Sequence, residues 1–214
     1  MTTTTSVSTR KESLDSQATS HELSLILHKK WKRGGNDTSL ASNGDHAADQ
    51  SNNVLRPSFT RSMPSQSVSM LLNGDFDAHL ASFALIDCRF SYEYDGGKLK
   101  GSQSLCDPAR VEEQFLWSPS KDCKRTALIF YCEFSANRAP KMLRHVRNLD
   151  RWIHAEKYPE LFYPELYLID GGYKHCYETI KEQICEPQTY TPMNHKEFIA
   201  TCKQEFALWR KRWK

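Results

Sequence analysis

The stretch "YCEFSANRAPKML" (residues 131–143) places a cysteine and an arginine with five residues between them. Those two residue types suit one chemistry. A thiolate is a strong nucleophile, and a guanidinium is a permanent cation whose fork of donors matches phosphate oxygens bidentately. The apolar ribbon "ALIFY" before Cys132 reads as a buried strand. Pro140 and the recurring apolar Met142, Val146 and Leu149 read as a helix that starts where the polar loop ends. In such a turn the backbone N–H groups of Glu133, Phe134, Ser135, Ala136, Asn137 and Arg138 can point at one centre, with the helix dipole behind them. The expected product is an anion cradle around a thiolate: Cys132 attacks phosphorus, a cysteinyl-phosphate forms, and water hydrolyses it. A Cys–Arg pair at this spacing also arises by chance, and free cysteines are often buried structure. The flanking strand and helix are what give the pair weight.

The elements that must hold that loop follow from the rest of the pattern. "FALID" (residues 83–87) and "ELYLI" (residues 165–169) read as two more buried strands, the first followed by the turn signal "YDGGK" and the second closed by Gly171 and Gly172. Strands alternating with helical patterns predict an α/β domain over residues 66–214, a mostly parallel sheet flanked by helices. In such sheets ligands bind beyond the carboxyl ends of the strands, where Cys132 falls. At the C-terminus Phe198, Cys202, Phe206, Trp209 and Trp213 keep helical spacing and predict a closing amphipathic helix. Residues 1–65, rich in Ser, Thr and Asn, hold too few apolar residues to offset the entropy of ordering and are expected to be a disordered tail. Within that tail Leu23, Ile26, Leu27 and Trp31 would share one face of a transient helix.

Composition narrows the function further. With 39% hydrophobic residues, 214 residues suffice for one ordinary domain and a tail, and the net charge is only +3. The basic clusters "HKKWKRGG" and "RKRWK" are solvated patches or a localisation or docking signal, and give no nucleic-acid footprint. Seven cysteines, at 88, 106, 123, 132, 176, 185 and 202, include no C-x-x-C pair, so a structural metal is not expected. No secretory leader or membrane span is read from the chain, which points to a reducing compartment.

Three separated stretches, "LIDCRFSYEYDGGKLKGSQSL", "YCEFSANRAPKMLRHVRNLDR" and "YPELYLIDGGYKHCYE" with the later "CEPQTYTPM", together resemble the catalytic domain of the M-phase inducer phosphatases over roughly residues 66–214. That resemblance implies a rhodanese-like fold without metal or cofactor. It implies a dual-specificity protein tyrosine phosphatase acting on phosphotyrosine and phosphothreonine of a cyclin-dependent kinase–cyclin complex, in nucleus and cytoplasm, as a monomer that promotes cell-cycle progression. It makes Cys132 the nucleophile, Arg138 the phosphate clamp, and Cys88 a redox partner able to form a disulfide with Cys132. Arg147, Arg151 and Tyr158 match its kinase-docking surface, with two extra residues before Tyr158. Asp87 and Arg89 are expected as buried structural partners. Ser58 and Ser62, near Arg56 and Arg61, would suit a phosphoserine-binding adaptor on the tail.

The chain departs from that family's pattern close to the site. Tyr131 stands where the family has a histidine, Asn137 where it has an acid, and Ala139, Lys141 and Lys98 replace Gly, Arg and His. With Asn137 in place of the acid, Glu133 is the remaining loop carboxylate and the candidate general acid. Three classes stay open on the residues: a phosphatase, a weakened module that binds phosphorylated kinase, and a sulfurtransferase or arsenate reductase on the same fold.

Overall fold

The computed structural model describes residues 61–213. The helical face at Leu23–Trp31 and the adaptor serine at 58 lie outside the described residues. Folded chain begins before the expected boundary at 66: Arg61–Met63 form strand β1, and helix α1 follows at Ser65–Leu72. Met63 is fully buried, so this short segment belongs to the core although three residues carry no readable period.

Five parallel strands form the sheet. Strand β2 (Ser82–Asp87) leads through helix α2 (Ser91–Asp95) and the two-residue β3 (Lys98–Leu99) to β4 (Gln103–Ser104), and β5 (Thr126–Tyr131) and β6 (Glu165–Ile169) complete it. Their spatial order is β1-β6-β5-β2-β4, every pair parallel. Helix α3 (Pro108–Val111) continues as a π-turn at Glu112–Leu116. Helix α4 (Arg138–Ile153) follows β5, and α5 (Gly172–Ile184) follows β6. Strand β7 (Cys185–Glu186) pairs antiparallel with β3, and α6 (Ile199–Arg212) closes the chain.

Alternation along β5 divides the core into two layers. Ala127, Ile129 and Tyr131 join Val68, Leu71, Tyr173 and Ile184 of α1 and α5, while Leu128, Phe130 and Cys132 join Val111, Met142, Leu143 and Val146 of α3 and α4. Both faces of the central strand are thus covered, which explains its uninterrupted apolar sequence. The expected terminal stripe is a packing surface: Trp209 is buried against Phe90 and Tyr92, with Phe198, Cys202, Phe206 and Trp213 partly buried beside them. Among the described residues no helix is long and apolar enough to cross a membrane.

Candidate active site

Strands β2 and β5 end side by side, and a cysteine follows each. Asp87 pairs with Tyr131 in the parallel register, and the Cys88 N–H donates to the Tyr131 carbonyl at 2.8 Å. The next positions on the two strands are therefore Cys88 and Cys132, 1% and 3% exposed and both free thiols. Burial, and after it the neighbouring Cys132 charge, pushes the Cys88 thiol well above its usual range. The sequence placed both cysteines at strand ends; the register makes them neighbours.

From Cys132 the chain curls through Glu133–Asn137 into α4. Ser135 takes a left-handed φ of 50° to close the curl. The first turn of α5 fixes the loop from behind: Tyr173 N–H donates to the Cys132 carbonyl at 2.9 Å and Lys174 N–H to the Glu133 carbonyl at 3.0 Å. This contact requires Gly172. Its φ is 64°, and a Cβ there would lie 2.3 Å from the Cys132 carbonyl oxygen and 2.7 Å from the Ser135 nitrogen. With those carbonyls held outside, the N–H groups of Glu133 to Arg138 donate to no protein acceptor among the described residues. Helix α4 begins at Arg138, so its unpaired first-turn donors and its dipole add to the same positive centre.

Arg138 is held in place by a residue that the sequence reading did not single out. Glu93, fully buried in α2, accepts from both Arg138 Nη atoms, the Nη2–Oε1 bond measuring 2.9 Å, and also caps its own helix by accepting from Phe90 N–H at 3.0 Å. The Phe90 ring lies 4.9 Å from the guanidinium carbon. Burial opposes the charge on Arg138, and the Glu93 hydrogen bonds and charge more than restore it, so its pKa rises. The signal was present in the quoted "SYEYDGG", as an acid three positions after an apolar N-cap in a turn-forming stretch.

Two side chains next to Cys132 in sequence are directed elsewhere. The Glu133 carboxylate, expected as the candidate general acid, is engaged by residues from outside the loop. It is 4% exposed and accepts from the Tyr190 hydroxyl and from Met193 N–H at 3.3 Å, tethering the segment before α6. Met193 in turn lines a cavity of about 300 Å³ with Cys202 and Phe206. Tyr131 does not adjoin the thiol either, because alternation sends it into the opposite core layer. Its hydroxyl donates to Ser102 Oγ at 2.9 Å and accepts from Leu99 N–H at 3.4 Å, and burial keeps the phenol neutral. Asn137 is exposed, as are Phe134 and Ala136 at the crown of the loop.

Asp87 and Arg89 are the buried partners expected, both 0% exposed, with Arg89 Nη2 2.7 Å from Asp87 Oδ2 and 2.6 Å from the Gly97 carbonyl. The three residues matched to docking lie apart from the loop, on the far half of α4 and beyond. Arg151 and Tyr158 are exposed, as is Trp152 beside them. Arg147 is occupied internally: it donates to the Tyr163 and Pro164 carbonyls at 2.9 and 2.8 Å, and burial lowers its pKa to about 10.

The sequence pattern of the rhodanese-like domain matches residues 71–179. Over 141 residues the chain is 44% identical to M-phase inducer phosphatase 1-B of Xenopus laevis, an alignment that takes in 64% of this chain and 25% of that protein. It is 43% identical over 139 residues to M-phase inducer phosphatase 1 of Homo sapiens, covering 64% and 26% of the two chains. The M-phase inducer phosphatase of Drosophila melanogaster is 40% identical over 143 residues, covering 62% and 30%. The matched region thus spans less than a third of these curated relatives. Since the rhodanese-like pattern covers more than half of its residues, the chain belongs to the rhodanese-like domain family.

Proposed function

We propose that this protein is a cysteine-dependent dual-specificity phosphatase that removes phosphate from phosphotyrosine and phosphothreonine of a cyclin-dependent kinase and thereby activates it. One observation carries the chemistry: N–H groups from Glu133 to Arg138 stand without acceptors among the described residues beside Cys132, with Arg138 aligned by Glu93. A ring of donors at a helix N-terminus is a site for a tetrahedral oxyanion. The similarity to M-phase inducer phosphatases supports the substrate class.

In this reading the phosphoryl oxygens occupy the N–H ring and the Arg138 fork, which places phosphorus in front of the Cys132 sulfur. The thiolate attacks in line with the departing tyrosine or threonine oxygen, and the fixed donors meet the charge that spreads over the equatorial oxygens. Glu133 is tied to Tyr190 and Met193, and Glu93 is paired with Arg138. The proton on the leaving oxygen is therefore brought by the substrate, on its phosphate or from a kinase side chain. Water then cleaves the cysteinyl-phosphate, and the thiolate returns. Cys88 serves as its redox partner. Arg151 and Tyr158 dock the kinase, while Arg147 fixes the loop that carries Tyr158.

The test uses the full chain with an aryl phosphate and a doubly phosphorylated cyclin-dependent kinase, beside Cys132→Ser and Arg138→Lys. Both substrates should turn over in the unaltered chain and neither with Cys132→Ser. Kinase binding without turnover in the unaltered chain would replace this reading with that of a binding module.

A further inference from the structure

Strand β2 lies between β5 and β4, so Cys88 has neighbours on both sides at the carboxyl edge of the sheet. On one side stands Cys132. On the other, Ile86 pairs with Gln103 and Asp87 with Ser104, and Leu105 N–H donates to the Asp87 carbonyl at 2.9 Å. Leu105 is thus level with Cys88, and Cys106 follows one residue later, past the end of β4 at Ser104, with its thiol near enough to Cys88 to act on it electrostatically. Three free thiols therefore stand in a row, in the order Cys132, Cys88, Cys106.

They differ in access. Cys132 and Cys88 are buried, whereas Cys106 is partly exposed, next to Asp107, whose carboxylate pairs with Arg212 at 3.2 Å. A disulfide between the two inner thiols would be shut away from a soluble reductant. A disulfide that includes Cys106 would present a sulfur at the surface. Burial raises the Cys106 pKa overall, and the Arg212 charge opposes that rise.

We propose that Cys106 is a second resolving thiol, which moves a Cys88–Cys132 disulfide outward to Cys88–Cys106 and returns Cys132 as thiolate. This rests on the reading of Cys132 as nucleophile and Cys88 as its partner. Hydrogen peroxide oxidises the Cys132 thiolate to sulfenic acid, with hydroxide leaving. Cys88, as thiolate, attacks that sulfur and expels a second hydroxide, forming the inner disulfide. The Cys106 thiolate then attacks Cys88 Sγ, the Cys88–Cys132 bond breaks, and Cys132 takes the electron pair into the ring of N–H donors that stabilises its charge. No further oxidant is consumed. A soluble thiol such as glutathione finally attacks the outer disulfide at the exposed Cys106 sulfur.

The experiment pulses the full chain with hydrogen peroxide, quenches by alkylation at intervals, and maps disulfides by mass spectrometry without reduction, for the unaltered chain, Cys106→Ser and Cys106→Ala. In the unaltered chain the Cys88–Cys132 peptide should rise first and then give way to Cys88–Cys106 as Cys132 regains alkylation. Both variants should halt at Cys88–Cys132, keep their activity before oxidation, and recover with glutathione about tenfold more slowly. Reactivation of the variants at the unaltered rate, or no Cys88–Cys106 peptide at any time, overturns the relay. Variants that form no Cys88–Cys132 disulfide and accumulate sulfinic acid at Cys132 overturn the underlying pairing, and the relay with it.

Discussion

Two buried arginine–carboxylate pairs lie within a few residues of each other and do different work. Arg89 binds Asp87 through Nε and Nη2, gives another bond to the Gly97 carbonyl, and lies 3.9 Å from the Tyr173 ring, with both partners fully buried. Arg138 binds Glu93 through both Nη atoms, and its neighbours include Cys132 and a loop whose N–H groups have no acceptor among the described residues. Burial of the ion pair does not separate them, because a buried pair alone is no mark of a site. What separates them is the state of the surrounding backbone. Around Arg89 the N–H groups of Cys88, Arg89 and Phe90 all donate within the fold, although Arg89 Nη1 itself has no partner among the described residues, and around Arg138 the N–H groups of Glu133 to Arg138 find no acceptor among the described residues.

Removing one carboxylate at a time tests that contrast. Asp87→Ala leaves the Arg89 guanidinium sealed and uncompensated, and should cost about 3–5 kcal/mol in denaturant unfolding. A loss under about 1 kcal/mol would remove the ground for calling this pair structural. Glu93→Gln should act mainly on chemistry. Its amide still reaches Arg138, but the fork is no longer held by charge, so kcat/KM for an aryl phosphate should fall about 10²–10³-fold. Its cost in stability should be about 1–3 kcal/mol, smaller than that of Asp87→Ala. Equal stability losses with unchanged turnover would show that the two pairs do the same work.

How much of this was legible differs by element. Strands β2, β5 and β6 and helix α4 are readable because each is long enough to show a run or a period and is bounded by turn residues. Strands β1, β3, β4 and β7 have two or three residues each and exist only through their partners, so no local signal announces them. At the site, Cys132, Arg138 and the loop follow from chain order alone. Glu93 does not, since it lies 45 residues from Arg138 and meets it only because α2 and α4 both start at the carboxyl edge of the sheet. The partners of Glu133 are hidden for the converse reason. Its neighbourhood in sequence is the loop, while its hydrogen-bond partners come from residues 190 and 193.

The arginines of α4 extend the contrast at smaller magnitude. Arg147→Ala deprives the Tyr163 and Pro164 carbonyls of their donors and should cost about 1–3 kcal/mol, read by urea titration. Arg151→Ala, at an exposed position, should stay within about 0.5 kcal/mol while slowing association with a kinase partner. Neither should alter aryl phosphate turnover. An Arg147→Ala variant with full stability and weakened kinase binding would return that residue to the docking surface.

A small effect is also expected where the departure from the family's pattern is most conspicuous in sequence. Tyr131 adjoins Cys132 along the chain, but consecutive strand residues face opposite ways, and the sheet itself separates phenol from thiol. Its hydroxyl serves Ser102 and Leu99, in the layer beneath α5. Tyr131→Phe keeps the ring and removes only those bonds, so it should cost about 1 kcal/mol, seen as a drop in Tm of about 2–4 °C. Turnover of an aryl phosphate should stay within about twofold, because no donor to the phosphate is lost. A tenfold fall in kcat/KM by a folded Tyr131→Phe would mean that the polar cluster behind the sheet sets the charge on the thiol. Cys132 would then depend on both core layers, and not on its loop and Arg138 alone.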